Sequence, residues 1–325
     1  MQSKVFKMNN SSKSSSVQSF DWRKYIVYIA FVCVFIIFSI TLMDDGFLTV
    51  SNQLNIVKQT AMIAIMAIAM TFVISTGEID LSVGSIAALS SLTAALAIDS
   101  FGLVGGIAVG LGTGALVGLV NGLLVTQLII PSFLVTLGMM IIIRGVAMWI
   151  TDTSPVPVLN ETFNFLFGSG TVIGLPVLLI WVLIIAVIGH IVYRKTTFGR
   201  KTLATGGNES AAKFSGVNTS RIKLVVLTVS GLAAGLAGML YAGRLQSGRY
   251  TFGEGDELSV IAAVILGGTS LFGGVGTVIG TVVGALLIGT INNGLIILGL
   301  DVSQQNIVKG AIIILAVAFG RKASK

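Results

Sequence analysis

The chain has 325 residues, of which 54% are hydrophobic and only 10% are charged. Ordinary globular domains carry about 25% charged residues, so this composition excludes a water-soluble domain. The single cysteine, Cys33, excludes an intramolecular disulfide. The net charge is +7, and most of the basic residues lie in polar segments outside the apolar runs, so the charge indicates membrane orientation and not nucleic-acid binding.

The chain begins with a polar, basic and serine-rich segment, residues 1–24, which we expect to be a cytoplasmic tail. The apolar run 25–43 follows and leads directly into Asp44 and Asp45, without a small-residue cleavage site. Secretory signal peptides have a shorter apolar core and such a site. The run therefore predicts an uncleaved first transmembrane helix.

Apolar runs of about 20 residues, the length that crosses a bilayer core, recur along the rest of the chain. They predict an all-α, polytopic integral membrane protein with about ten transmembrane helices. The predicted spans are 25–43, 55–75, 80–98, 102–126, 133–150, 171–193, 222–243, 257–270, 274–298 and 304–320. The eighth span is too short to cross and the second nearly touches the third, so we expect broken or re-entrant helices at both places.

Charge asymmetry predicts the orientation of these spans. Most of the 20 basic residues lie in three segments, 1–24, 194–223 and 321–325, whereas most acidic residues lie in the alternate connections. Because cytoplasmic loops retain Lys and Arg, we expect both termini and the loop 194–221 to be cytoplasmic. The loop 151–170 is then the largest external connection.

Two carboxylates, Glu78 and Asp80, interrupt the apolar sequence between the second and third spans. Acids within a membrane mark substrate or ion paths, but an acid before a helix also caps it. We expect Asp80 to cap the next helix and Glu78 to face a polar cavity. Asp256 and Glu257 pose the same choice at the outer surface, where capping is favoured.

Glycines recur every four residues in two spans, which places them on one helix face where another backbone approaches closely. These glycines are Gly106, Gly110, Gly114, Gly118 and Gly122, and Gly276, Gly280 and Gly284. We interpret them as packing surfaces.

The chain also repeats itself at an offset of about 170 to 177 residues. The matched segments are 78–88 with 256–263, 114–123 with 284–295, and 138–143 with 310–315. Five spans separate each pair, so the halves, about 52–150 and 222–320, should be inverted copies within one permease domain, 25–325. Inverted repeats are typical of transporters, with the pathway at their interface. Our candidates for the translocation path or helix breaks are Glu78, Asp80, Ser82, Asn121, Glu257, Asn292 and Asn293.

Other polar residues within spans suggest little chemistry. Arg144 and Lys309 lie near outer helix ends, where long basic side chains extend to the interface. One histidine, His190, and one cysteine do not make a metal site, and we expect no metal and no catalytic residues. No phosphate-binding loop of the Walker type occurs, so any ATP hydrolysis belongs to another polypeptide.

The loop 194–221 contains a predicted docking element. Asn208 precedes the segment 209–215 as a potential N-cap, and Gly216 follows it as a C-terminal stop. A short helix on an inner loop suits contact with a partner, although a plain basic loop is the alternative.

The sequence resembles the permease subunits of bacterial monosaccharide ABC importers of the ribose-permease type. The resemblance covers about residues 52–319. Its motifs are 76–85, 131–138, 198–200, 206–209, Ala211, Ala212, Ser215, Gly216, Ala262, Ala263, 267–270, Gly273, Gly274 and 292–295.

This resemblance implies a permease dimer, homodimeric or paired with a paralogue, in the lipid of a bacterial inner membrane. It also implies a cytoplasmic ATPase carrying ATP and Mg²⁺, an external substrate-binding protein, and no cofactor on this chain. The segment that contacts the ATPase would include Gly206, Gly207, Asn208, Glu209, Ala211, Ala212, Ser215 and Gly216. Glu78 departs from the glycine usual in the family, and Asp256 and Ser259 flank the pair Glu257 and Leu258 where an aromatic and an aspartate are usual.

The residues alone leave a second function class open. An ion-coupled secondary transporter would also have inverted repeats, with Glu78 and Asp80 as proton or sodium sites. The motif of the inner loop favours the ATP-driven permease.

Overall fold

The computed structural model describes residues 25–320, and the predicted polar tail and the last five residues lie outside this range. The helices are α1 Ile26–Thr41, α2 Val50–Ser75, α3 Val83–Gln127, α4 Ser132–Ile150, α5 Glu161–Asn164, α6 Val177–Lys195, α7 Thr197–Gly207, α8 Glu209–Phe214, α9 Thr219–Leu245, α10 Asp256–Leu266, α11 Val278–Ile297 and α12 Val302–Gly320. A π-helical turn, Phe165–Ser169, continues α5. The strands are β1 Val156–Pro157, β2 Thr171–Val172, β3 Leu175–Pro176 and β4 Ser247–Gly248.

Six helices of the described chain are long and apolar enough to cross a membrane, namely α2, α3, α4, α6, α9 and α11, and α1 is a shorter apolar helix. This confirms the predicted all-α, polytopic architecture. The 45-residue α3 is two helices joined at Gly102, whose φ of 68° and ψ of −171° are not helical. The sequence predicted two separate spans here, 80–98 and 102–126.

The sixth predicted span starts too early. Residues 171–176 form an antiparallel hairpin of β2 and β3, and α6 begins only at Val177. Pro176 is the reason, because its fixed φ and missing amide suit a position just before or at the start of a helix.

Both predicted helix breaks are present. Between α2 and α3, residues 76–82 are not helical. The helix α10 has 11 residues, which corresponds to only about 16 Å, and the non-helical segment 267–277 completes the passage to α11.

Close backbone contacts hold the core together, as the glycine pattern predicted. The helix pair α3 and α9 packs along the first glycine series, where a Cβ at Gly114 would clash with the carbonyl of Gly231. In the second half, a Cβ at Gly284 would clash with the carbonyl of Ala263 on α10. The helix α2 is buried from residue 60 to residue 75 among α6, α9, α10 and α11.

The bundle has two distinct ends, which α9 connects over about 40 Å. At its first end lie α7 and α8, and Gly274 donates its amide to the carbonyl of Ser75 beside Gly206. At its other end, β4 pairs with β1, so the 151–170 connection lies there. We call these the α7–α8 end and the β1–β4 end.

Candidate functional site

Asp80 is fully buried in the break between α2 and α3. One carboxylate oxygen accepts hydrogen bonds from the amide (3.0 Å) and hydroxyl (2.6 Å) of Ser82, and the other accepts from the Ser230 hydroxyl (2.8 Å). The N-cap of α3 is Ser82, so the prediction that Asp80 caps this helix is wrong by two residues. Asp80 closes the turn before α3 and links this turn to α9, because one carboxylate oxygen bonds to Ser82 and the other bonds to Ser230.

Asn121 extends this polar cluster. Its side-chain amide donates to the Ser82 hydroxyl at 2.9 Å, and its buried oxygen has no partner among the described residues. Ser230 lies about 16 Å along α9 from its start at Thr219, so the cluster and the start of α3 lie within the thickness of the bundle. A half-helix that begins inside the bundle, beside buried polar groups, is typical of transporter binding regions.

Glu78 is part of an ion pair, a contact that the sequence analysis did not predict. The Lys223 ammonium lies 2.7 Å from the Glu78 carboxylate and 2.8 Å from the Glu209 carboxylate. The side chains of Lys223 and Glu78 are 16% and 13% exposed, so this contact is largely shielded from water. Sequence reasoning missed Lys223, because we counted it only as one of the basic residues that indicate orientation.

The predicted docking helix is present as α8, Glu209–Phe214. Asn208 caps it by accepting the Ala211 amide at 2.9 Å, and Gly216 ends it with a φ of 81°. Glu209 also contacts Lys213 at 2.9 Å. Hydrogen bonding from Lys223, the largest cause, lowers the pKa of Glu209 to about 2. The carboxylate therefore stays charged at any physiological pH.

The first part of the same loop is also helical, which the sequence analysis did not predict. Gly206 and Gly207 close α7, and a Cβ at Gly206 would clash with the carbonyl of Ser75 at the end of α2. Gly273 and Gly274 pack on the same two glycines. The loop 194–221 thus contacts both helix breaks through glycine backbones.

In the second half, α10 begins with two acids. Its N-cap is Gly255, and neither acid acts as the predicted cap. The Asp256 carboxylate accepts a hydrogen bond from the Tyr241 hydroxyl at 2.6 Å, which ties α10 to α9. Glu257 lies in the first turn, where the helix dipole favours a negative charge.

The two asparagines of α11 have different surroundings. Asn293 exchanges two side-chain hydrogen bonds with Asn52 of α2, at 3.0 and 2.9 Å, so its role is to join helices. Asn292 has a buried oxygen without a partner in the described chain and lines a small cavity with Ser259 and Lys309. The candidate residues therefore do not form one site.

A larger cavity, of about 450 Å³, lies between α4 and the starts of α3 and α10. Arg144, Glu254, Glu257 and Ser85 provide its polar lining. Arg144 donates to the backbone carbonyls of Tyr250 and Phe252, so it is fixed inside the protein and does not extend to the interface as predicted. Among these residues, sequence reasoning had named only Glu257 as a candidate for the translocation path, because nothing in the spacing brings α4 next to the segment 249–257.

A second large cavity, of about 490 Å³, is almost entirely apolar. It lies between α2, α6 and α9, and residues such as Phe72, Trp181 and Leu236 line it. Without hydrogen-bonding groups such a cavity does not suit a polar solute.

A bundle of spanning helices, interrupted by half-helices that start beside buried polar groups, is the architecture of a membrane transport protein. A family described as the permease component of the branched-chain amino acid transport system matches residues 52–317, and the chain belongs to this family. The ribose import permease protein of Bacillus subtilis is 43% identical over 287 residues, 88% of this chain and 89% of the relative.

Two other relatives cover similar lengths. The D-allose transport system permease protein of Escherichia coli K12 is 39% identical over 94% of this chain and 93% of the relative. The L-arabinose ABC transporter permease protein of Azospirillum brasilense is 38% identical over 90% of this chain and 86% of the relative. No solved structure matches the chain. The relatives confirm the predicted class of transport permease.

Proposed function

We propose that the chain is the transmembrane subunit of an ABC importer that moves a monosaccharide across the bacterial inner membrane. One observation carries this proposal: relatives 38–43% identical over most of their length are named as permeases for ribose, D-allose and L-arabinose. The ion-coupled alternative has no such support. The ion pair of Glu78 with Lys223 also leaves that acid without the free carboxylate that a cation site needs.

The proposed complex contains further subunits. A cytoplasmic ATPase supplies ATP hydrolysis with Mg²⁺, an external binding protein delivers the sugar, and a second permease copy, identical or paralogous, completes the pore. Most of the basic residues between positions 25 and 320 lie at the α7–α8 end, so we place this end, and both termini, in the cytoplasm. The β1–β4 end then faces the binding protein.

The helix α8 is the proposed contact with the ATPase. Phe214 at its end is 94% exposed, and an aromatic ring exposed on a polar loop is a typical anchor for a partner. Glu209 at its start shares Lys223 with Glu78. A displacement of α8 by the ATPase would therefore pull on the break before α3 through two charged contacts.

Reconstitution tests this function. The chain, its ATPase and its binding protein are placed together in liposomes, and uptake of ribose, D-allose and L-arabinose is measured with and without ATP. We expect uptake of at least one sugar that requires both ATP and the binding protein. Uptake that is driven by a proton or sodium gradient without the ATPase would overturn the assignment.

A further inference from the structure

The cavity between α3, α4 and α10 occupies a special place in the fold. The two half-helices of the molecule, α3 and α10, both begin at its wall, with Ser85 and Glu257 in or next to their first turns. Their starts also touch, because a Cβ at Gly84 would clash with the carbonyl of Gly253. The cavity is therefore in contact with both helix breaks at once.

The polar groups of this cavity have unused hydrogen-bonding capacity. Ser85 is fully buried, and its hydroxyl has no partner among residues 25–320. Arg144 uses one terminal nitrogen for both of its backbone bonds. Within the described chain, neither Glu254 nor Glu257 approaches Arg144 closely enough to form an ion pair, although all three line the cavity.

These groups match the chemistry of a neutral polyol. A sugar hydroxyl donates to a carboxylate and accepts from a guanidinium, so it can bond to both kinds of group without carrying charge. The remaining lining includes Met140, Ile141 and Met148, which offer apolar contacts to the C–H faces of a sugar ring. A transported ligand must also leave, so a site on its path needs only weak binding.

We propose that this cavity is the site where the imported monosaccharide first binds to the permease, with Arg144, Glu254, Glu257 and Ser85 as its hydrogen-bonding partners. This inference rests on the proposed function, and it adds a location and a set of residues to it. It also gives the two half-helices a common role: both first turns contact the same solute.

Substitution in the complete reconstituted complex tests the hydrogen-bonding groups. Glu257→Gln and Ser85→Ala should each lower the uptake efficiency for the transported sugar, by about tenfold for the charged group. Asp45→Asn is the matched control, since Asp45 is an exposed acid between α1 and α2 and lies outside the cavity. Stimulation of ATP hydrolysis by the binding protein should persist in all three variants, because docking and coupling do not use this cavity.

A thiol probe tests the location independently of these side chains. A Cβ at Gly145 has no neighbour within 4 Å, so Gly145→Cys is accommodated in a Cys33→Ala background. A membrane-impermeant thiol reagent should block uptake in this variant, and the transported sugar should slow the reaction. Asp45→Cys should react without loss of uptake.

The outcomes separate the two proposals. If the unmodified complex transports none of the three sugars, the proposed function is wrong. If the unmodified complex transports a sugar but Glu257→Gln and Ser85→Ala transport it equally well, only the assignment of this cavity is wrong. Modification of Gly145→Cys without loss of uptake, or without protection by the sugar, would also overturn that assignment.

Discussion

At the scale of single residues, the central feature is one lysine shared by two carboxylates. Lys223 contacts Glu78 in the break before α3 and Glu209 at the start of α8, at 2.7 and 2.8 Å. Removing the lysine would leave the largely shielded Glu78 carboxylate without its counter-ion and Glu209 with Lys213 alone, and this costs more than an exposed ion pair contributes. The residue therefore links two parts of the chain that are far apart in sequence.

We predict that Lys223→Met uncouples ATP hydrolysis from uptake and lowers stability by at most about 3 kcal/mol, since Glu209 remains partly solvated. Lys223→Arg should retain most uptake because it keeps the charge. Thermal unfolding in detergent measures the stability, and the ratio of sugar transported to ATP hydrolysed measures the coupling. An unchanged ratio in Lys223→Met would show that the ion pairs do not transmit movement.

A second prediction concerns pH. The pKa of Glu209 falls from 4.5 to about 2 on folding, so its contribution to stability is fully present above pH 4.5 and is lost as the pH falls toward 2. We expect the difference in thermal stability between the wild type and Glu209→Gln to be constant from pH 5 to 8. The difference should shrink below about pH 4.5. A difference that already changed between pH 7 and 5 would contradict the lowered pKa.

At the scale of elements, the sequence was informative where a local signal decided the structure. Asn208 and Gly216 delimit α8 by capping chemistry alone, and the shortness of α10 follows from the length of its apolar run. The helix α7 was missed because its threonines and glycines are poor helix formers. Contacts made only in the folded protein stabilise it, such as that of Gly206 with the end of α2.

The start of α3 provides a third prediction. In Asp80→Asn the side chain still accepts one bond from Ser82, and its amide group can donate to the Ser230 hydroxyl, so the effect should be mild. In Asp80→Ala the buried groups that bond to Asp80 lose their acceptor, at about 1–3 kcal/mol for each unsatisfied group. The yield of folded protein after size-exclusion chromatography should fall much further for Asp80→Ala. Equal yields would refute a structural role for this carboxylate.

A fourth prediction concerns the glycine contact between α3 and α9. A Cβ at Gly231 would clash with the carbonyl of Gly114, whereas a Cβ at Gly112 meets nothing within 4 Å. We expect Gly231→Ala to lower the thermal unfolding temperature, because the two backbones must separate. Gly112→Ala should leave it unchanged or raise it slightly, since alanine favours the helix by about 0.5–1 kcal/mol. Similar effects of the two substitutions would mean that the contact adapts easily.

At the scale of the whole molecule, the order of the apolar helices could be predicted because each depends on the hydropathy of its own segment. The polar interior could be predicted only in part. Asp80, Ser82 and Asn121 were named from the sequence and do meet, but Ser230 completes their cluster from 150 residues away. The cavity lined by Arg144 and Glu257 likewise requires α4 to lie beside the segment 249–257, and no local pattern encodes that contact.

The orientation of the whole bundle is the last prediction. The basic residues of the loop 194–221 predict that the α7–α8 end lies in the cytoplasm, because positive loops are retained there. Single cysteines in a Cys33→Ala background report the side of each loop in intact cells. Ser215→Cys, at the exposed end of α8, should react only after the membrane is permeabilised, whereas Asp45→Cys should react from outside. Reaction of Ser215→Cys from outside would reverse the orientation, and α8 could then not contact a cytoplasmic ATPase.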